Sequence, residues 1–231
     1  MSEGDDTKRH LVELSHVVRH GMVTYPGLPG PEICDHMNRE DSRDKYAPGT
    51  EFQIGRITMV ANTGTYVDAP FHRFAEGQDL AELDLSRLVD VPGLCVGVTG
   101  GKGPGIGPDQ LAGHNVTGRA VLIRTGWDVH WGTEGYGAPH HPFLSGEGAR
   151  WLAEREPAVV GIDSVNIDDM ADATRPAHTT LLAAGIPVVE HMAGLDRLPE
   201  RGFSFHAAPV AVSGMGTFPV RAYALVDADN R

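Results

Sequence analysis

The stretch RPAHTTLLAAG (175–185) runs directly into IPVVE (186–190), and this junction decides the fold class. Pro176 stands at an early helical position, where a missing N–H is no loss, and Gly185 stands where a helix C-cap belongs. The spacing therefore predicts one helix over 175–185, followed by a short apolar strand. Working outward, AVVGIDSVNI (158–167) reads as the preceding strand and loop, and SGEGARWLAER (145–155) as a helix opening on a Ser cap. LCVGVT (94–99) and AVLIRTGW (120–127) look like buried strands, while FQIGRITMV (52–60) alternates as a half-buried strand does. LVELSHVV (11–18) reads as a first strand or strand pair, and 202–225 as strands separated by Gly and Pro. Strands alternating with helices predict an α/β layer architecture. No repeat or linker interrupts the chain, so residues 1–231 are expected to form a single domain. The Pro-, Gly- and charge-rich stretch 21–50 is long for a loop and is expected to be a flap or an oligomer contact.

Hydrophobic residues make up 41% of the chain, enough for a sizeable core. Acidic residues outnumber basic ones, 31 to 19, for a formal net charge of −12. That balance argues against nucleic acid or an anionic membrane as partner, since both want a basic face. A small anionic substrate stays open, because a local Arg can act against the global sign. No apolar run approaches a membrane span, and no apolar segment follows the polar MSEGDDTKRH. Cys34 and Cys95 lie far apart without CxxC spacing, as buried thiols would. A cytoplasmic setting is the expectation.

The densest chemical signal is NTGTYVDAPFHR (62–73), where Gly64 and Pro70 argue for a turn or loop around Asp68 and His72. These two are four apart, side by side if the loop turns helically. His178, in the first turn of the helix after Pro176, and Glu190, at the end of the next strand, can meet at one sheet edge, where α/β proteins hold ligands. Two carboxylates and one or two imidazoles suit Zn²⁺, Mn²⁺ or Fe²⁺. An Asp in a Gly-Pro loop also serves as a turn residue, and a His near a helix start is satisfied by a hydrogen bond. Spacing alone leaves both readings open.

Other residues carry weaker signals. Arg73 can fork a substrate carboxylate or form a surface ion pair. Trp127 and Trp131 can wall a pocket, although Trp is more often core. His140 and His141 read as a solvated turn, and Asp163 and Ser164 as pocket lining or a brace for His178. GGKGPGIG (100–107) lacks a P-loop's GK[ST] and reads as a flexible loop. The sequon Asn115-Val-Thr has no use in the cytosol.

Residues 62–72 resemble the motif HxGTHxDxPxH of the cyclase family that includes bacterial kynurenine formamidase and isatin hydrolase. The likeness extends through VLIRTGW (121–127), the HP and helix of 141–155, VGIDS (160–164) and AHTTLLAAGIPVVEHMAGLD (177–196). The resemblance implies a swivelling β/β/α-type fold, a homodimer or homotetramer, and hydrolysis of amide or lactam bonds with divalent metal. Under it Asp68 matches a metal-binding Asp, His72 the acid/base His, and His178 and Glu190 a metal-binding pair. Asn62 and Tyr66 stand where the motif has its first two histidines, which argues against a two-metal site and against kynurenine formamidase activity itself. The expectation is a hydrolase of a small amide, lactam or ester with one Zn or Mn on Asp68, His178 and Glu190. His72 passes the proton, and Asn62, Tyr66, Arg73 and Trp127 contact substrate. Metal-free acid/base chemistry, cyclisation, dehydration or isomerisation without net hydrolysis, and a non-catalytic ligand-binding role are the alternatives.

Overall fold

The computed structural model describes residues 9–98 and 103–228. Its strands are β1 (His10–Glu13), β2 (Glu32–Met37), β3 (Ile54–Thr58), β4 (Tyr66–Asp68), β5 (Val91–Gly97), β6 (Gly105–Ile106), β7 (Ala120–Arg124), β8 (Phe143–Leu144), β9 (Val159–Ile162), β10 (Val188–Glu190), β11 (Phe203–His206), β12 (Thr217–Pro219) and β13 (Tyr223–Val226). Its α-helices are the single turns α1 (Arg39–Ser42) and α2 (Pro108–Leu111) and the longer α3 (Gly146–Ala153) and α4 (Pro176–Ala183).

Nine strands share one sheet, in the order β1-β13-β11-β5-β7-β9-β10-β4-β12. Its middle, from β5 to β10, is parallel, and the pairings on either side of it are antiparallel. Parallel strands are covered on both faces, which is why β7 and β9 are nearly continuous apolar runs. Val121 and Ile123 face one way, with Val160, Ile162 and Val188, into Leu152 of α3 and Leu181 and Leu182 of α4. Leu122 faces the other way, into a core with Val189, Met192 and Phe205. The sheet curls on itself. The chain just past β1 meets the chain just past β10, where Ser15 bridges Met192 and Ala193 N–H donates to Leu14 O at 3.0 Å.

The α/β class and the helices at 145–155 and 175–185 are as expected. Ser145 caps α3 by accepting from Gly148 N–H at 3.1 Å, and Gly185, at φ +69°, ends α4. Five readings need correction. Stretch 21–50 is not all loop, since it holds β2 and α1. Segment 52–60 is not half-buried; every side chain of β3 is exposed, because β3 pairs only with β2, in a two-stranded sheet apart from the main one. Stretch 62–72 contains a strand: the turn ends at Gly64, and Tyr66–Asp68 then fit between β10 and β12. Cys95 is buried as expected, but Cys34 is only partly so. Of the glycine-rich 100–107, residues 100–102 lie outside the described residues, and Gly105–Ile106 are paired with β8.

Gly93 on β5 lies under Phe203, and a Cβ there would sit 1.9 Å from the ring. Gly93→Ala is expected to lower unfolding free energy by about 1–3 kcal/mol, the usual range for overpacking, as read by denaturant titration. An unchanged midpoint would mean that Phe203 has room to move.

Candidate active site

Strand register assembles the floor of the site. On β4, Asp68 lies opposite Val188 and Thr217, and Tyr66 lies opposite Glu190 and Pro219. Alternation puts Tyr66, Asp68, Glu190 and Thr217 on one face. The first turn of α4 lies over that face and supplies His178. Beyond Asp68 the chain leaves the strand and turns in a 3₁₀ helix over Pro70–His72, which sets His72 at the rim. Asp68 and His72 are thus neighbours through a strand end and a tight turn, not along a helix.

Each polar group is held by a specific partner. Asp68 Oδ1 accepts the Thr217 hydroxyl, and Thr217 Oγ1 lies 2.8 Å from His72 Nδ1. Thr217 points its one hydroxyl proton at Asp68, so His72 Nδ1–H donates to Thr217 Oγ1, leaving Nε2 with a free lone pair. Asp168 Oδ2 lies 2.6 Å from His178 Nδ1. The same carboxylate accepts the N–H groups of Ala177 at 2.5 Å and His178 at 3.1 Å, capping α4. His178 Nε2 consequently points inward, 3.5 Å from Asp68 Oδ2 and 3.7 Å from Glu190 Oε2. Glu190 Oε1 accepts from Ile167 N–H at 2.6 Å, and Oε2 from the Tyr66 hydroxyl at 2.7 Å.

The field is strong because the groups are buried. Burial lowers the His178 pKa, but Glu190, Asp168 and Asp68 outweigh it and hold the imidazole well above its ordinary value. Burial raises Glu190, and the facing His178 outweighs that, holding the carboxyl well below its usual range. Tyr66 is pushed well above an ordinary phenol by burial and by Glu190 and Asp68, so it stays protonated and serves as a donor. Behind it, His191 Nε2 lies 3.2 Å from the Tyr66 oxygen, and His191 Nδ1 lies 2.9 Å from the Tyr136 hydroxyl. A left-handed backbone at His191, φ +54°, breaks the strand alternation and turns its ring toward the same phenol that Glu190 binds.

These residues fit a divalent cation. Asp68 Oδ2 is buried without a hydrogen-bond partner. It faces His178 Nε2, whose sister nitrogen is committed to Asp168, the carboxylate–histidine arrangement that orients a metal-binding imidazole. One ligand atom each from Asp68, His72 and His178 lie within 4.8 Å of one another. Such N/O donors suit zinc or manganese. The cluster opens into a cavity of about 420 Å³ lined by Asn62, Tyr66, His72, Arg73, His178 and Glu190, with Tyr25 to Leu28 as an outer wall.

The Cyclase family model matches residues 12–169. The chain belongs to the Cyclase family. Kynurenine formamidase of Bacillus cytotoxicus is 28% identical over 218 residues, covering 91% of this chain and 95% of that one. A structure described as a potential metal-dependent hydrolase with cyclase activity has a TM-score of 0.77 at 25% identity, covering 97% of this chain and 99% of that one. Isatin hydrolase A from Labrenzia aggregata, bound to benzyl benzoate, has a TM-score of 0.80 at 24% identity, covering 95% and 94%, and shares the fold.

In this Cyclase-family chain, Asn62, Tyr66, Asp68, His72, Arg73, His178 and Glu190 come together. Trp127 does not join them: its indole N–H donates to Tyr136 O at 2.9 Å and its ring packs against His130 and His140. Trp131 instead lines a second cavity, of about 750 Å³, beyond Pro26. The brace on His178 is Asp168, not Asp163 or Ser164. Asp163 accepts from Thr125 and Gly126 at the end of β7, and burial raises its pKa to about 6. Ser164 lies 3.2 Å from Nδ1 of His141, which is fully buried, where a solvated turn was expected. Asp168, Thr217 and His191 carry no motif. Asp168 had one faint signal: a helix starting at Pro176 with Arg175 before it has no capping side chain of its own, so an acceptor must come from elsewhere. Gly216 is also required, because a Cβ there would lie 2.2 Å from His72 N.

His16 stacks on Trp131, with ring centroids 3.9 Å apart. Burial and the nearby His191 lower the His16 pKa from 6.5 to about 4. Burial likewise holds His191 at about 4. Both values lie below those of the unfolded chain, which therefore takes up protons first as the pH falls. The stability these two histidines contribute should be full above pH 6.5 and decline toward pH 4, the span of the His16 shift. His16→Phe should flatten this decline in unfolding free energy measured against pH. An equal slope in both proteins would place the acid sensitivity elsewhere.

Proposed function

We propose that the chain is a metal-dependent hydrolase of a small amide, lactam or ester, with one zinc or manganese ion held by Asp68, His178 and Glu190. The observation that carries this reading is the buried, unpartnered Asp68 Oδ2 facing His178 Nε2 beside Glu190. The names of the relatives support the reaction class. When bound, the ion supplies a Lewis acid that polarises a carbonyl and lowers the pKa of a water.

The chain's own residues do the rest. Asp168 fixes the tautomer and direction of His178. Thr217 fixes His72 with Nε2 free, so His72 takes a proton from the attacking water and returns it to the leaving group. Tyr66 keeps its proton and holds Glu190 in place. Asn62 and Arg73 line the cavity as substrate contacts. The small-molecule substrate is the partner in this reading, and the cytoplasm its setting, in keeping with two free cysteines. Among the described residues no helix is long and apolar enough to cross a membrane. The chain is read as a homodimer or homotetramer, because the β2–β3 hairpin exposes Ile33, Ile54 and Ile57 and a two-stranded hairpin is marginal alone.

Elemental mass spectrometry should find near one equivalent of metal in the wild type and a loss of it in Asp68→Ala/Glu190→Ala. On an amide, lactam and ester panel the product should gain one water, and His72→Ala should lower kcat by roughly 100-fold or more. Protein that stays metal-free under excess zinc or manganese, or a product of unchanged mass, would overturn the reading. Light scattering should give a multiple of the chain mass that Ile54→Asp/Ile57→Asp reduces; a wild-type monomer would refute the oligomer.

A further inference from the structure

Two arginines stand at the cavity mouth, one beside each histidine of the cluster. Arg73 follows His72 where the 3₁₀ turn ends, and Arg175 precedes the helix that carries His178. Both line the cavity. The arginines that find carboxylates among the described residues lie elsewhere: Arg9, Arg43, Arg155, Arg201 and Arg221. Arg73 and Arg175, like several other described arginines, form no ion pair, and these two are the ones that line the cavity. Their hydrogen-bond partners are neutral. Arg73 Nε donates to Thr179 Oγ1 at 3.2 Å, and Arg175 Nη1 to Asp169 O at 3.1 Å. Each guanidinium keeps further N–H donors for a ligand. One turn of α4 ties the two together, since Thr179, which takes the Arg73 bond, donates its N–H to Arg175 O at 2.9 Å.

Arg175 also sits in a left-handed conformation, φ +49° and ψ +61°. Gly or Asn suits such a backbone better than Arg does. The charge pattern along the cavity is polar in the electrical sense. Its floor carries Asp68 and Glu190, which repel an anion, and its mouth carries two unpaired cations. Tyr25, Pro26 and Leu28 form an apolar wall.

We infer that the substrate carries a carboxylate, which Arg73 and Arg175 bind at the mouth while its amide, lactam or ester carbonyl faces Asp68, His72 and His178. The ligand class is a small acid with an apolar body between the anion and the reacting carbonyl. This rests on the hydrolase reading for the carbonyl end only; the anion site stands on the arginines. Fork-like pairing of guanidinium with carboxylate supplies both affinity and orientation.

Two measurements separate the parts. Calorimetric titration with benzoate and with benzyl alcohol, neither of which carries a hydrolysable bond, reads the anion site alone in wild type, Arg73→Gln and Arg175→Asn. Asn accepts the left-handed backbone, so that variant keeps the fold. Wild type should bind benzoate more tightly than benzyl alcohol, and each substitution should weaken benzoate by about tenfold, the scale of one hydrogen bond to a charged group. Benzoate affinity unmoved by either substitution would overturn the proposal, including the case in which benzoate binds only at the metal. Hydrolysis of p-nitrophenyl hemisuccinate against p-nitrophenyl butyrate then reads the substrate. The ratio of their kcat/KM should favour the anion and fall in both variants through a rise in KM for the hemisuccinate. An equal ratio in wild type and variants would overturn the substrate class. Hydrolysis of neither ester and of no member of the amide, lactam and ester panel, with the benzoate effect intact, would refute the hydrolase and leave the anion site standing.

Discussion

Three carboxylates, those of Asp68, Asp168 and Glu190, are buried around a single imidazole. Carboxylates withdrawn from water must be hydrogen-bonded, paired or bound to a cation. Much of the local architecture is the response to that demand. Asp168 is satisfied by the first turn of α4 and by His178 Nδ1. Glu190 is satisfied by Ile167 N–H and the Tyr66 phenol. Asp68 is satisfied on one oxygen only, by Thr217. The remaining oxygen and His178 Nε2 face each other across a gap that a proton or a cation must fill. The site's chemistry is this unfinished part of an otherwise complete hydrogen-bond network.

The same demand explains why Tyr66 is compatible with the site. A phenolate beside Glu190 and Asp68 would add a further buried negative charge. The neutral phenol instead donates to Glu190 and is itself approached by His191, whose ring is anchored at Tyr136. The aromatic and imidazole groups thus form a neutral backing to a charged pocket, and the strained backbone at His191 is the geometric condition for it.

How much of this was legible in the sequence follows the physics of each signal. The parallel middle of the sheet and the two longer helices are written in local terms: apolar runs, the Ser145 cap, Pro176 and Gly185. His178 and Glu190 belong to one local unit, a helix and the strand after it, and their meeting could be read from it. Asp68 and His72 were found, but their relation was read with a helical period where a strand and a turn apply. Gly64 and Pro70 flank β4 and made it look like a loop. Trp127 was placed in the pocket by residue type alone, and type does not say which way an indole turns. Asp168, Thr217 and His191 were missed because their roles arise from register and from contacts across the chain, which no local pattern encodes.

The partner of Asp68 lies 149 residues further along the chain, on β12. During synthesis the strands from β5 to β10 and their helices emerge before it, and they hold the means to form a layered core among themselves. Thr217 arrives only afterwards, and with it the bond that sets both Asp68 and His72. A nascent chain that has not yet reached β12 has Asp68 and His72 without the hydroxyl that joins them. The centre is thus completed across a long span of chain, and a product clipped before Thr217 lacks the bond that orders Asp68 and His72.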